Sequence, residues 1–253
     1  MKIGIVGTGN TAWQLATHFS KASLFSEIHL LARNQDKGKE LAEEFDLTFR
    51  ILGADALDYY QGLFLCVSDE AIPNVSKLLA DHCDWMVHTS GSVSLVSIAK
   101  KRKGVFYPLQ TMTKGRYLKP SEIPLSLEAS DSETFMELRN IADAMGFSWQ
   151  EENSQDRLKM HLSAVFVNNF TNFLLEEASQ LSEVSRLNPL RLNSLAKETV
   201  RKFYDLGGEK AQTGPARRGD DQIIDGHKAM LAANNNALDI YSLFSKMIKE
   251  KYG

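Results

Sequence analysis

The chain opens with a short apolar run, a glycine-rich turn and a helical pattern. Lys2–Val6 has the composition of a buried strand, and Gly7-Thr8-Gly9-Asn10-Thr11-Ala12 follows it directly. In a GxGxxA turn the first glycine permits a tight bend, the second lets backbone N–H groups approach a pyrophosphate, and the alanine keeps helix and strand close. The positive end of the helix then meets the negative charge. We expect a dinucleotide to bind here; the alternative is a glycine turn without a ligand.

The first half of the chain alternates β-rich runs with amphipathic stretches. After the opening run, the segments with strand composition are Ile28–Ala32, Leu63–Val67, Met86–Thr89, Val105–Tyr107, Leu125–Leu127 and Phe147–Gln150. Between them, Asn10–Lys21, Gln35–Phe45 and Asp131–Met145 place apolar residues at helical spacing. This alternation is typical of an α/β fold with a doubly wound parallel sheet, which we assign to residues 1–152.

The pattern changes after residue 152. We find no convincing strand beyond this point, and the segments with helical periodicity are Ser154–Glu183, Pro189–Tyr204 and Asp221–Lys251, the last broken near Asn234–Asn236. No flexible linker separates the two halves, so we expect the long helix to pack directly on the sheet domain. The sequence predicts a second, all-helical C-terminal domain over residues 153–253.

Charge, hydropathy and cysteine content exclude several classes of protein. Residues 1–152 carry 15 Lys and Arg against 20 Asp and Glu, and residues 153–253 carry 14 against 12, so neither half has the basic charge of a nucleic-acid binder. The longest apolar runs are strand-length, far below the ~20 residues of a membrane span. Cys66 and Cys83 supply neither a disulfide framework nor a zinc site. We expect no bound metal and no membrane partner, and a reducing cytoplasm as the location.

The end of the second predicted strand indicates which dinucleotide binds. An acidic residue there would bind the ribose 2′-hydroxyl of NAD, whereas an arginine would accommodate the 2′-phosphate of NADP. The chain has Arg33 and Asn34 at this place, while Glu27 and Asp36 lie outside the strand tip. NADP is therefore favoured, and the alternative is that Arg33 is an ordinary surface arginine.

Three further strand tips lie on the same carboxyl edge of the predicted sheet, where ligands bind in such folds. They are Val67-Ser68-Asp69, His88-Thr89-Ser90-Gly91 and Tyr107-Pro108-Leu109-Gln110. We expect Val67, Ser68 and Ser90 to contact the cofactor, although capping of a following helix is an equal alternative for Ser68. His88 is the first candidate for a proton donor, and the alternative is that it is a structural histidine. Tyr107 has a largely apolar side chain, and we expect it to line the site rather than to act as an acid.

The long predicted helix carries a polar stripe among apolar residues. At ~100° per residue, His161, Asn169 and Asn172 fall within about an 80° sector of a regular helix. Such a stripe needs polar partners. It either faces the nicotinamide ring or forms a buried network between helices.

A polar turn between the later helices reads Thr213-Gly214-Pro215-Ala216-Arg217-Arg218-Gly219-Asp220. Arg217 or Arg218 could clamp an anionic group of the substrate through two parallel hydrogen bonds. Asp220 is placed to cap the helix that follows. The alternative is a surface connection with two solvated arginines.

Taken together, these motifs resemble the superfamily of pyrroline-5-carboxylate reductases, deazaflavin-dependent NADP reductases and 6-phosphogluconate dehydrogenases. More closely, the chain resembles a bacterial branch of NADP oxidoreductases whose helical domain is a domain of unknown function. The resemblance supports site roles for His161, Asn169, Asn172, Thr213, Gly214, Pro215, Arg218 and Asp220. It also implies a Rossmann-type first domain and a homodimer formed through the helical domain. One motif is absent, because the residue four positions after Lys159 is Ser163 and not the asparagine of the hydroxyacid dehydrogenases.

These observations predict a reductase that delivers hydride from NADPH to a small C=O or C=N compound. Asn169, Asn172 and His161 would polarise the acceptor, Arg218 would hold its anionic end, and His88 would donate the proton. The alternative from another class is a non-catalytic protein that senses NADP. Hydride exchange with a deazaflavin is a third reading, which no motif decides.

Overall fold

The computed structural model describes residues 1–53 and 57–253. Within these residues, eight strands form one sheet in the order β3-β2-β1-β4-β5-β6-β7-β8. The strands are β1 Lys2–Val6, β2 Glu27–Ala32, β3 Thr48–Ile51, β4 Tyr60–Leu65, β5 Cys83–His88, β6 Lys103–Pro108, β7 Leu125–Ala129 and β8 Trp149–Glu151. The first six follow the order 3-2-1-4-5-6 of a doubly wound fold. The predicted α/β class is therefore confirmed.

Two details of the sheet differ from the sequence prediction. The strands β1 to β6 are parallel, but β7 pairs antiparallel with β6, and β8 runs parallel to β7. The chain between β6 and β7 contains no α-helix, so it can reverse direction without a crossover. The edge strand β3 was not predicted, because its four residues are half-buried or exposed and give no apolar run.

The sheet is covered on both faces, which explains the apolar runs of its central strands. The helices of this part of the chain are α1 Asn10–Phe19, α2 Gln35–Glu44, α3 Ile72–Leu79, α4 Ser132–Met145 and α5 Ser154–Ala164. One core cluster joins Phe19 of α1 and Leu138 of α4 to Phe64 and Phe106 of the sheet. A second cluster joins α3 to β4 and β5 on the opposite face.

The chain divides into two compact units, residues 1–169 and 170–253. The predicted domain boundary at residue 152 coincides with the end of β8, but α5 belongs to the first unit. Arg157 of α5 is fully buried, forms an ion pair with Glu128 of β7, and donates a hydrogen bond to the Val93 carbonyl at 2.6 Å. Ser154 donates a further hydrogen bond to Glu128 at 2.9 Å. These polar contacts attach α5 to the sheet.

The second unit is helical throughout, as predicted. Its helices are α6 Thr171–Val184, α7 Asn193–Leu206, α8 Gly208–Ala211, α9 Pro215–Arg218, α10 Asp221–Met230 and α11 Asn235–Tyr252. A π-helical segment, Val165–Phe170, separates α5 from α6, where the sequence predicted one regular helix. The predicted break near Asn234 is confirmed, because the Asn234 side chain accepts a hydrogen bond from Ala237 N–H at 3.1 Å and caps α11. Among the described helices, none is long and apolar enough to cross a membrane.

Candidate functional site

The turn after β1 requires glycine at its first position. Gly7 has a φ of +124°, and a Cβ built on it would lie 2.2 Å from the carbonyl oxygen of Cys66 at the tip of β4. A larger residue would therefore force β1 and β4 apart. Gly9 precedes α1 in extended conformation, and a Cβ there would meet no atom within 4 Å, so its backbone faces open space. Ala12 is fully buried against the sheet, as the motif predicts.

A cleft of about 640 Å³ opens at this turn, across the tips of β1, β2 and β4. Seven of the residues predicted to bind a cofactor line it, namely Gly7, Thr8, Gly9, Arg33, Asn34, Val67 and Ser68. Exposed backbone at a helix N-terminus suits the phosphates of a dinucleotide, so these residues fit such a group. Asn10, Thr11 and Ser90 do not line the cleft. The Asn10 side chain instead accepts a hydrogen bond from Lys114 N–H at 3.3 Å.

Arg33 lies at the β2 end of the cleft and is exposed. No ion pair to its guanidinium occurs among the described residues. Asn34 has a structural task, since its side chain accepts a hydrogen bond from Lys37 N–H at 2.9 Å and caps α2. Glu27 lies at the other end of β2 and pairs with Lys2 at 3.2 Å. The cleft thus offers a free cation, and no carboxylate among its lining residues, to a ribose substituent.

The tips of β4 and β5 are joined by hydroxyl groups. The Ser92 hydroxyl donates a hydrogen bond to the Asp69 carboxylate. Ser90, which is buried, accepts hydrogen bonds from the N–H groups of Ser92 and Val93 at 3.1 and 3.0 Å. Ser68 stands where a helix cap would, but its side chain makes no capping hydrogen bond. The capping alternative for Ser68 is therefore not observed.

His88 is fully buried at the end of β5. Its Nδ1 accepts a hydrogen bond from Ser90 N–H at 3.2 Å, which places the proton of the neutral ring on Nε2. Burial, together with a smaller effect of the nearby Arg157 charge, lowers the pKa of His88 to about 4. A neutral, enclosed histidine fits the structural alternative that the sequence left open. Its role as proton donor stays a prediction.

Tyr107 and His161 form a pair that the sequence did not reveal. The Tyr107 hydroxyl, near the end of β6, lies 3.0 Å from Nδ1 of His161 on α5. Gly91 packs against both rings, since a Cβ on it would lie 2.6 Å from His161 Nδ1 and 2.7 Å from Tyr107 Cζ. The pair joins residues 54 positions apart, and no local pattern in the sequence indicates such a contact.

The polar stripe does not keep the geometry of a regular helix. The π-helical segment between α5 and α6 interrupts the spacing of 100° per residue, so the 80° sector calculated for His161, Asn169 and Asn172 does not apply. Asn169 in the first unit and Asn172 in the second are both exposed. Exposure argues against the alternative of a buried network between helices.

The polar turn of the second unit begins at Gly214, whose φ is +106°. The Arg217 side chain is fixed by two contacts within the second unit. It donates a hydrogen bond to the Glu209 carbonyl at 2.5 Å and lies over the Tyr252 ring at 5.7 Å. Arg218 lies 3.9 Å from Asp220, and its side chain is 61% exposed. Asp220 occupies the N-cap position of α10, as predicted, but its side chain makes no capping hydrogen bond and lies opposite Arg218 instead.

Burial makes the thiols of Cys66 and Cys83 poor nucleophiles. Both are buried and free, and burial raises the pKa of each thiol to about 12. Among the described residues, no three His, Cys, Asp or Glu side chains gather as metal ligands.

We predict that the burial of His88 makes the protein less stable in acid. The unfolded histidine takes up a proton near its ordinary pKa of 6.5 and the folded one only near 4, so stability falls as the pH drops between these values. The loss is roughly 3 kcal/mol between pH 7 and pH 4. Urea unfolding at both pH values should show a smaller loss for His88→Gln than for the wild type. The same change at partly exposed His82 is the control, and an equal loss in both variants would contradict the prediction.

The comparisons with known proteins agree with this geometry. A family described as NADP oxidoreductase, coenzyme F420-dependent, matches residues 2–98, and a domain of unknown function, DUF2520, matches residues 123–248. A sequence search of curated proteins gives no significant match.

Solved structures match the chain over nearly its whole length. A candidate NADP oxidoreductase from Bacteroides fragilis is 31% identical with a TM-score of 0.91, covering 99% of this chain and 98% of its own. A protein from Thermotoga maritima is 21% identical with a TM-score of 0.71, covering 98% and 97%. A 1-pyrroline-5-carboxylate reductase from Streptococcus pyogenes is 15% identical with a TM-score of 0.62, covering 99% and 98%. The chain therefore belongs to the family of NADP oxidoreductases that join an F420-dependent type of N-terminal domain to DUF2520.

Proposed function

We propose that this protein binds NADP(H) and transfers hydride between the nicotinamide and a small C=O or C=N compound. The observation that carries the proposal is the turn at Gly7, which packs against Cys66 and opens on a cleft. The cleft ends at Arg33, which forms no ion pair within the part of the chain that the structure describes. The backbone of Gly7, Thr8 and Gly9 would hold the pyrophosphate, and Arg33 the 2′-phosphate. The cofactor supplies the hydride, and the protein supplies binding and orientation.

A structural neighbour suggests the class of acceptor. The reductase from Streptococcus pyogenes shares the fold, and its name specifies a cyclic C=N substrate that carries a carboxylate. In this chain, Asn169, Asn172 and His161 would orient such an acceptor, and Arg218 would hold its anionic end. His88, whose ring is neutral and enclosed, is less suited to donate the proton than a group that faces the cleft.

Replacement of Arg33 tests the choice of nucleotide. We expect Arg33→Ala to weaken NADPH binding at least tenfold and NADH binding less than twofold, because only NADPH carries the 2′-phosphate. Arg139→Ala removes the same charge from α4, outside the cleft, and should change neither affinity. Nicotinamide fluorescence titration measures both dissociation constants. Equal losses for the two nucleotides would remove the argument for NADP.

Turnover distinguishes an enzyme from an NADP sensor. We expect the wild-type protein to oxidise NADPH when it is given a hydride acceptor from a panel of 2-keto acids, aldehydes and cyclic imines. The loss of NADPH absorbance at 340 nm measures this turnover. Asn169→Ala should lower kcat while leaving the NADPH dissociation constant unchanged, since Asn169 does not line the cleft. Tight NADPH binding without oxidation by any acceptor would favour the sensor, and F420 reduction alone would favour hydride exchange with a deazaflavin.

We propose further that two copies of the chain associate through the helical unit. Among the described residues, its buried apolar side chains are limited to Ala216, Ile224 and Ala237. Many large apolar side chains of the unit are exposed, including Phe173, Leu174, Leu175, Leu181, Val184, Leu187, Leu190, Leu195, Val200, Phe203, Leu206, Ile223, Met230, Leu243, Phe244 and Met247. An apolar groove of about 470 Å³ runs between α6, α9 and α11. Exposed apolar area on this scale marks a protein interface.

Sedimentation equilibrium tests this association. We expect a mass of twice the 28.3 kDa of one chain. Phe244→Glu, which puts a charge into the apolar groove, should raise the dimer dissociation constant at least a hundredfold. Leu78→Glu, at an exposed position of α3 in the first unit, should not. A wild-type protein that sediments as one chain would contradict the proposal.

A further inference from the structure

The contact between Tyr107 and His161 is closely constrained by its surroundings. Tyr107 is only 9% exposed, its hydroxyl lies 3.0 Å from His161 Nδ1, and the two rings meet edge to face at 5.9 Å. Gly91 leaves the space that the pair occupies, because any Cβ there would come within 2.7 Å of both rings. The turn after β5, the end of β6 and helix α5 therefore meet at this hydroxyl group.

The pair lies in the half of the sheet where the reactive end of a dinucleotide is expected. In the order 3-2-1-4-5-6, a dinucleotide bridges the point where the strand order reverses, here between β1 and β4. Arg33, which directly follows β2, would lie beside the adenosine half of the dinucleotide. The nicotinamide half would then extend over the tips of β4, β5 and β6. Tyr107 stands one residue before the end of β6.

We propose that Tyr107 is the proton donor of the reaction and that His161 is its positioning residue. This inference rests on the proposed function. Hydride leaves C4 of NADPH with its electron pair and forms a C–H bond on the acceptor carbon, so NADPH becomes NADP⁺. The O–H bond of Tyr107 breaks, and its proton passes to the oxygen or nitrogen of the acceptor.

His161 restores the phenol. With its proton on Nδ1, the imidazole donates a hydrogen bond to the Tyr107 oxygen and leaves the phenolic O–H free for the acceptor. After transfer, the Nδ1 proton moves to the phenolate, and Nε2 takes a proton from solvent. His161 is half-buried, so solvent reaches part of the ring.

The charges around Tyr107 suit this task. Burial raises the pKa of Tyr107 above that of an ordinary phenol, which is itself protonated at neutral pH. The buried Arg157 guanidinium lowers this pKa and so favours the phenolate that forms during transfer, while the carboxylates of Glu152 and Asp69 raise it by smaller amounts. Other candidates are less suited, since His88 is enclosed and Asp69 already accepts a hydrogen bond from Ser92.

The experiment compares Tyr107→Phe with the wild type, using NADPH and the acceptor panel of 2-keto acids, aldehydes and cyclic imines, with 1-pyrroline-5-carboxylate among them. We expect Tyr107→Phe to lower kcat at least a hundredfold and to change the NADPH dissociation constant less than twofold. Tyr59→Phe is the matched control, because Tyr59 donates a hydrogen bond to Asp84 at the amino edge of the sheet. It should leave kcat unchanged.

His161→Ala tests the positioning role. We expect kcat to fall at least tenfold, and free imidazole to restore part of it. A purely structural role would change the stability of the protein but would not respond to imidazole. Loss of kcat without rescue would therefore overturn the role of His161.

The outcomes separate the two proposals. NADPH binding by the wild type with kcat of Tyr107→Phe within threefold of normal would overturn the proton-donor assignment alone. Absence of NADPH binding by the wild type would overturn the proposed function. NADPH binding without reduction of any acceptor in the panel would count against catalysis, and the proton donor with it.

Discussion

The ion pair between Arg157 and Glu128 fixes α5 on the sheet, and the arrangement of the site depends on it. Arg157 is fully buried, and breaking such a pair by removing one partner costs about 3–5 kcal/mol, since the remaining charge is left in the interior. His161 follows Arg157 by four residues and so lies on the same face of α5. The contact that holds the helix therefore also sets the distance between His161 and Tyr107.

Two independent constraints meet at the carboxyl edge of the sheet. Gly7 fits between β1 and β4 because only hydrogen leaves room for the Cys66 carbonyl, and Gly91 fits between two rings for the same steric reason. The first glycine shapes the cofactor cleft, and the second allows α5 to approach β6. At both positions, glycine leaves room for neighbouring groups to approach one another closely. The polar groups at the carboxyl edge of this largely apolar sheet therefore lie close together.

The sequence predicted what depends on neighbouring residues and missed what depends on distant ones. The strand, turn and helix at Gly7 were predicted because each signal lies within a few residues. The antiparallel direction of β7, the attachment of α5 through Arg157, and the Tyr107–His161 pair all depend on contacts across the fold. The sequence also did not reveal burial. The position of His88 at a strand tip suggested a catalytic histidine, and only the packing of the fold shows that its ring is enclosed.

The residues at the edge also bear on which acid–base group the proposed reaction uses. Oxidation of an alcohol needs a base to take its proton, and the lysine that serves this purpose in related dehydrogenases has no counterpart here. Lys159 forms an ion pair with Asp156 at 3.0 Å, and the Ser163 hydroxyl donates a hydrogen bond to the Lys159 carbonyl. Tyr107 holds its proton at neutral pH, as an ordinary phenol does, and burial raises its pKa further. The acid–base group of the proposed reaction is therefore this phenol and not a lysine: it gives its proton when the acceptor is reduced and, by microscopic reversibility, takes one back when the product is oxidised.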